Sequence, residues 1–520
     1  MPASLFNRIK ADEIADRLDG EYYSRELLEN ENKLGRFNQV TLESSVTNSR
    51  NAISDLTSNG SFEFLRGIQF NDSNGIPYIR TQNLMEGYID STDVIYVDLK
   101  CKEMVAKSIC ETGDLVVCRK GKVGAASAVS VEMNGAAISE NVTRFRLQGI
   151  YDGDFLAAFL NSNHGRMRFL REATGVIQKW INNEKLRQIK VIRIEPQAEK
   201  YIGDKVRQAE QLRAWARRLE VKLAFFENQI PTSKPVIGEA KHSKATLEFL
   251  TENRLDARYY SKKHLDLYAQ FNNEFESFGS ICSGFKYGAS IAANYVNSEG
   301  LPFIRGNALS PNRINQDDIV YLSKSLKDEL KTAFVEEGDI LITRSGTVGV
   351  TTYVAAEHAK YWYGSFIIKC KLATKSYLPA YVSWYLNSWV GQQQFRRLEN
   401  GAVQLNINTE ELSSIAIWKA PQEFQTEIDK LLIEQISAVN LSKSLTSAAK
   451  TLVEALIEGQ LTEQQLIQAQ QALDDGDNSL DQAILSKLSN EGYAIDGATP
   501  LFSDIDELYR LLESAAEAEE

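Results

Sequence analysis

Apolar residues recur at spacings of three and four along two long stretches of the chain. In the first stretch the seam runs through Ile202, Val206, Ala209, Leu212, Ala216, Leu219, Leu223, Phe226 and Ile230, and Pro231 stops it. In the second it runs through Phe424, Ile428, Leu431, Gln435, Ala438, Ser442, Leu445, Ala449, Leu452 and Leu456. Gln435 and Ser442 are polar interruptions, and Gly459 is a natural terminator. A stripe of this period is buried against another helix, so the pattern predicts two paired helices of about 30 residues, each roughly 45 to 50 Å long. Elsewhere the runs are shorter. Residues 94–97, 115–118, 125–131 and 143–147 read as strands, and residues 155–171 and 381–398 as helices, which predicts an α+β fold.

The chain is also written twice. Leu18-Asp19-Gly20-Glu21-Tyr22-Tyr23-Ser24 returns as Leu255-Asp256-Ala257-Arg258-Tyr259-Tyr260-Ser261, 237 residues later. Gly75-Ile76-Pro77-Tyr78-Ile79-Arg80 returns as Gly300-Leu301-Pro302-Phe303-Ile304-Arg305 at an offset of 225. The block Gly113-Asp114-Leu115 through Arg119-Lys120-Gly121-Lys122-Val123-Gly124 returns at the same offset as Gly338-Asp339-Ile340 through Arg344-Ser345-Gly346-Thr347-Val348-Gly349. Gly175-Val176-Ile177-Gln178 with Ile181-Asn182 matches Gly401-Ala402-Val403-Gln404 with Ile407-Asn408. Four blocks in one order, each set closed by a long helix, fix a tandem architecture before any motif is interpreted. The expected domains are residues 1–196, a helical spacer over 197–231, a linker over 232–245, a second domain over 246–420, a second spacer over 421–460 and a tail over 461–520.

Charge is distributed unevenly. The net charge of -12 lies in the tail: from residue 451 to the end there are 16 acidic residues against Lys487 and Arg510, and the first 450 residues are close to neutral. Helical signals at 462–472, 479–488 and 504–518 make this tail a small acidic helical appendage that docks a partner or imitates phosphate charge. Residues 161–222 carry 15 basic against 7 acidic residues, a balance that suits either a phosphate-facing surface or a solvated helix face. The five cysteines (Cys101, Cys110, Cys118, Cys282 and Cys370) contain no C-x-x-C pair and read as reduced, mostly buried thiols. No apolar run approaches the roughly 20 residues that cross a bilayer, so no membrane contact and a cytoplasmic location are expected.

Catalytic apparatus is not visible. The turns at 119–124 and 344–349 lack the G-x-x-x-x-G-K-[ST] order of a phosphate loop and read as tight strand connections. The histidines (His164, His242, His264 and His358) are scattered without H-E-x-x-H, and no proline-proline-aromatic tetrapeptide of an amino-methyltransferase occurs. Neither a catalytic site nor a metal site is expected.

The repeated G-[IL]-P-[YF]-I-R and G-D-[LI]-x-[VI]-x-R-x-G-x-V-G blocks, the G-x-[VI]-Q-x-x-I-N turn and the helix after each resemble the specificity subunits of type I restriction-modification enzymes, over about residues 10–460. The resemblance implies two tandem target recognition domains, each followed by a long helix, with the helices pairing as an antiparallel coiled coil. It also implies double-stranded DNA as ligand, read as two half-sites across a nonspecific gap. The implied partners are two methyltransferase subunits using S-adenosylmethionine and a translocating nuclease subunit using ATP and Mg, with no cofactor on this chain. The acidic tail is longer than the family pattern. Shared residues hold the fold and differing polar ones read bases, for which Arg and Gln have the bidentate geometry. On that ground the candidate DNA contacts are Thr81, Gln82, Arg119, Lys120, Lys122, Asn141, Gln178 and Lys179 in the first copy. In the second they are Arg305, Asn307, Arg344, Ser345, Thr347, Gln404 and Asn406. The alternative is a two-headed helical scaffold that binds proteins rather than DNA.

Overall fold

The computed structural model describes residues 20–518 apart from 176–177, 235–243, 248–249, 252–253, 255, 293, 298 and 402–403, together with Ile9 and Ile14. Most of the linker expected at 232–245 and parts of the repeat blocks (Leu18, Asp19, Val176, Ile177, Leu255, Ala402 and Val403) lie outside the described residues. The chain divides into two compact units, Met1–Trp215 with Ala438–Glu520, and Ala216–Ser437.

In the first unit, one four-stranded antiparallel sheet has the order Ile53–Ser54, Val142–Phe145, Leu115–Cys118, Ala126–Ala128. A second has the order Phe70–Asn71, Ile95–Val97, Ile76–Ile79, Ala137–Ile138, its last pair parallel. A two-stranded ribbon joins Asn38–Thr41 to Lys190–Arg193. Leu115–Cys118 is buried at every position, which is why it reads as an unbroken apolar run and not as an alternation. Val116, Cys118, Ile79, Ile138 and Val142 meet in one core cluster.

The second unit repeats this topology. Its sheets have the orders Cys282–Tyr287, Ile367–Leu372, Ile340–Thr343, Thr351–Tyr353 and Tyr295–Val296, Val320–Leu322, Leu301–Ile304, Trp362–Tyr363, with Phe275–Ser277 paired to Ala416–Trp418. Register repeats as well as order: Leu115 opposes Phe145 and Ala128, as Ile340 opposes Cys370 and Tyr353. Tyr78 lies parallel to Ala137, as Phe303 does to Trp362.

Each helix expected at 155–171 and 381–398 is broken in two. Gly153–Asn161 gives way at Ser162 to Asn163–Glu172, and Pro379–Asn387 gives way at Ser388 to Trp389–Leu398. Both serines are extended and cap the following helix, accepting from Gly165 and Gly391. A Cβ on either glycine would lie 2.2 Å from the Phe159 carbonyl or 2.4 Å from that of Leu386, so the break is as tight as glycine permits.

The two long helices span Pro196–Phe226 and Gln422–Glu458 and pack against each other. Within the second unit Lys222 reaches Glu427 at 3.4 Å and the Phe226 and Phe424 rings lie 5.4 Å apart, so the helices run antiparallel. Within the first unit Arg213 donates to the Thr446 hydroxyl at 2.5 Å. The predicted seam is buried from Ile202 to Leu223 and at Ile428, Ala438, Leu445 and Leu452, and Ser442 is accommodated by donating back to the Val439 carbonyl. Among the described residues no helix is long and apolar enough to cross a membrane.

The acidic tail folds into helices Glu463–Asp474, Ser479–Leu485 and Ile505–Glu517, where helices were expected. It is fastened to the first long helix through Asp481, whose buried carboxylate meets Lys205 at 2.7 Å and accepts the Tyr201 and Tyr509 hydroxyls at 2.5 Å each. Lys200 pairs with Asp474 at 3.0 Å.

One expectation is corrected. Cys282 and Cys370 are joined as a disulfide on neighbouring strands, their Cα atoms 6.3 Å apart. Their separation of 88 residues offered no spacing cue; strand register brings them together. Cys101, Cys110 and Cys118 are free and buried.

Candidate nucleic-acid interface

The R-x-G-x-V-G block forms, in each unit, the hairpin between the central strand of the antiparallel sheet and its edge neighbour. Gly121 and Gly124 both have φ of 87°, and Gly346 and Gly349 have 80° and 90°. A Cβ on Gly124 would meet the Phe169 ring at 2.5 Å, and one on Gly349 the Phe395 ring at 2.6 Å. The repeat of these glycines therefore follows from left-handed backbone pressed onto an aromatic ring. The G-D that opens the block also has a structural cause. Asp114 accepts the Glu111 amide at 2.8 Å and pairs with Arg146 at 3.1 Å, while Asp339 lies beside Lys369 at 2.8 Å and accepts the Glu336 amide at 2.8 Å.

The G-x-x-Q turn closes beside this hairpin. Thr174 and Trp180 exchange backbone hydrogen bonds of 2.8 and 2.9 Å, as do Asn400 and Asn406 at 2.9 and 2.8 Å. Gly175 (φ 102°) and Gly401 (φ 108°) leave no space for a side chain, since a Cβ on either would lie 2.3 Å from the glutamine carbonyl across the turn. The two loops are stitched together: Ile181 donates to the Arg119 carbonyl at 3.0 Å, and Ile407 to that of Arg344 at 3.0 Å. Segments far apart in sequence thus place Arg119, Lys120 and Lys122 beside Gln178 and Lys179, and Arg344, Ser345 and Thr347 beside Gln404 and Asn406. Thr81 joins the first group, its methyl 3.2 Å from where a Cβ on Gly121 would lie. Cys118 lies at the base of the hairpin, and burial pushes its thiol up so that it stays protonated.

The candidates differ in how far they are committed elsewhere. In the first unit Lys120 and Gln178 are exposed. Gln82 donates to Asp93 at 2.6 Å, Lys122 reaches the Met85 sulfur at 2.9 Å, Asn141 donates to Glu140 at 3.1 Å and Lys179 pairs with Glu21 at 3.0 Å. Arg119 is 18% exposed and held by Asp55 at 2.9 Å and by the Glu140 carbonyl. Asp55 also accepts from Asn183 at 3.0 Å, so this guanidinium belongs to a closed network.

In the second unit Arg344 rests 4.6 Å above the Tyr287 ring and donates to Asn406 at 3.2 Å. Arg305 lies 5.7 Å from the centre of the Tyr295 ring. An open cleft of about 470 Å³ gathers Arg305, Asn307, Ser345 and Thr347, with Phe366 along it. Asn307, Thr347 and Gln404 are exposed.

Asp55, Tyr287 and Phe366 are site residues that sequence reasoning did not nominate. Asp55 and Tyr287 lie outside the matched blocks; strand register identifies them. The basic stretch over 161–222 is largely consumed within the molecule. Arg168 pairs with Glu31, Arg193 with Glu199, Arg207 with Asp152 and Asp154, and Arg213 with Glu210, which leaves little of it as a phosphate-facing surface. Among the described residues no group of three His, Cys, Asp or Glu side chains is arranged to hold a metal ion.

Residues 273–448 match the family model of the type I restriction modification DNA specificity domain. The chain is 26% identical over 451 residues to the type I restriction enzyme EcoKI specificity subunit of Escherichia coli (strain K12), covering 81% of this chain and 90% of that one. A type I restriction modification DNA specificity domain is thus matched over residues 273–448, and the chain as a whole is similar to a specificity subunit. Among solved structures it is similar to the type-I restriction-modification system S subunit from M. genitalium, at 13% identity and a TM-score of 0.42, covering 82% of this chain and 97% of that one. It is also similar to the HsdS subunit from Thermoanaerobacter tengcongensis, at 12% identity and a TM-score of 0.26, covering 82% and 97%. The family match lies on the second copy and most of the second long helix, and the first copy repeats the strand registers of that copy.

Proposed function

We propose that this chain reads a bipartite double-stranded DNA target, each unit engaging one half-site, and that it directs catalysis by other subunits without carrying out any itself. The observation that supports this reading is the duplicated loop pair. Twice, a rigid hairpin locked by glycine is stitched to a glutamine turn, and twice the pair displays Arg, Gln, Asn, Lys or Thr side chains of the kinds that bind base edges and phosphates. Two methyltransferase subunits would supply S-adenosylmethionine chemistry on adenine, and a translocating nuclease subunit would use ATP and Mg. All of this would take place in the cytoplasm. Coupling two half-sites multiplies specificity, because the second is met at high effective concentration only when the spacing fits.

Mapping modified adenines across the host genome, with and without the gene, tests this. Loss of methylation at a two-part motif with a fixed gap is the expected result; an unchanged methylation map overturns it. The internal pairing of the basic stretch favours a second reading, a two-headed scaffold that binds proteins. The two part company on salt: log affinity of the assembled complex for DNA falls steeply with log salt concentration if phosphates are bound, and there is no sequence-dependent DNA binding to measure if they are not.

A further inference from the structure

Phe366 is a large apolar side chain that the core does not use. It is 56% exposed and lies along the polar cleft of the second unit with Arg305, Asn307, Ser345 and Thr347. Its backbone is fixed on all sides: its carbonyl accepts the Arg344 amide at 2.9 Å, Ser365 donates to Ala289 at 2.9 Å and Ile367 to Gly364 at 3.0 Å. An exposed ring on a rigid corner, surrounded by hydrogen-bonding groups, is suited to touch an apolar patch within an otherwise polar ligand.

The two copies show how the position is used. In the first, the Arg119 amide donates at 2.8 Å to the carbonyl of Asn141, so Asn141 is the equivalent of Phe366. The facing residue changes with it. The first copy has Thr81 where the second has Gly306, and a Cβ on Gly306 would lie 3.9 Å from the Cβ of Phe366. Glycine thus stands beside the residue that bears the ring, and threonine takes the equivalent place in the copy that bears the amide. Asparagine offers a donor and an acceptor to a base edge, whereas phenylalanine offers only apolar contact, and in the major groove the apolar feature of a base pair is the C5-methyl group of thymine.

Resting on the DNA-reading function above, we propose that Phe366 is a specificity-determining residue that contacts the C5-methyl of a thymine in the half-site of the second unit. The copies then read different bases at equivalent positions, one through an amide and the other through a ring.

The test uses the full chain with its methyltransferase subunits and duplexes carrying the target found by methylation mapping. Each thymine of the second half-site is replaced singly by deoxyuridine, which removes only the methyl group. One replacement is expected to weaken binding of the wild-type chain about 3- to 10-fold, in line with loss of one buried methyl contact. Phe366→Ala binds the thymine and uracil duplexes equally, while Phe366→Leu keeps part of the discrimination. Preference at the first half-site stays unchanged in both variants. The proposal is overturned if no thymine of the second half-site shows a uracil penalty, or if Phe366→Ala keeps the wild-type penalty. Those results leave the two-part preference of the wild-type chain intact; a wild-type complex with no sequence preference at all would instead remove the DNA reading.

Discussion

Tyr287 stands in the second unit where Asp55 stands in the first. Strand pairing sets Ile53 against Phe145 and Phe285 against Cys370, so the residue two places further on is a carboxylate in one copy and a phenol in the other. The arginine of the hairpin meets each of them: Arg119 is ion-paired to Asp55, and Arg344 is stacked on Tyr287. One guanidinium is paired with a carboxylate within the protein, and the other rests on an aromatic face and donates to Asn406.

Arg119→Ala and Arg344→Ala should therefore fail in different ways. Removing Arg119 strands the buried Asp55 carboxylate and should destabilise the first unit by about 3 to 5 kcal/mol. Removing Arg344 should leave stability nearly unchanged, weaken DNA binding, and lower the salt slope by about 1 if the contact is to phosphate. Urea unfolding and salt-dependent binding of the two variants distinguish these outcomes.

Gln178→Ala and Gln404→Ala, at exposed tips held by Gly175 and Gly401, should each cost about 1 to 3 kcal/mol at one base position and relax preference there alone. Competition binding against single-base variants of the target measures it. A uniform loss across all sequences would mark these residues as phosphate contacts.

Asp481 gathers one ammonium and two phenols in a buried site. Asp481→Ala leaves Lys205 charged and unpaired, and should cost about 3 to 5 kcal/mol in the first unit while loosening the tail. Hydrogen exchange over residues 461–518 should rise sharply. Replacing both partners, as in Asp481→Leu with Lys205→Met, should restore much of the protection because no uncompensated charge remains.

His264 introduces a pH dependence in the second unit. Its ring is buried, with Nδ1 3.1 Å from both the Ser261 hydroxyl and the Arg258 carbonyl, and burial pulls its pKa down to about 4. Above the ordinary value of about 6.5 both folded and unfolded chains are neutral here, and the stability of the unit is fully present. As pH falls from about 6.5 towards 4 only the unfolded chain takes up the proton, so up to about 3 kcal/mol is lost. The melting temperature of the second unit, followed from pH 7.5 to 4.5, should fall more steeply for the wild type than for His264→Gln.

Much of this was legible from the chain itself, because the repeat and the helical seam are patterns of residue type. Leu115–Cys118 and Ile340–Thr343 are apolar at successive positions since both faces are buried, and the seam from Ile202 to Leu223 repeats with the helical period since one face is buried. What escaped depends on partners distant in sequence. Nothing near Asp55 announces Arg119, and nothing near Cys282 announces Cys370; both pairings are made by strand register. The breaks at Ser162 and Ser388 were hidden because the apolar period carries on across the cap. The basic stretch misled because composition counts charges without their partners, and Glu31, which pairs with Arg168, lies more than a hundred residues earlier.

The division of the long helices between the two units has a consequence for biosynthesis. The first unit is made from the opening 215 residues and from everything after residue 437, so the second unit is encoded as an insertion within it. A ribosome therefore delivers all of the second unit before the first can close, and residues 1–215 wait as an incomplete body until the segment after residue 437 emerges. A chain truncated anywhere beyond residue 437 carries a finished second unit on an unfinished first one.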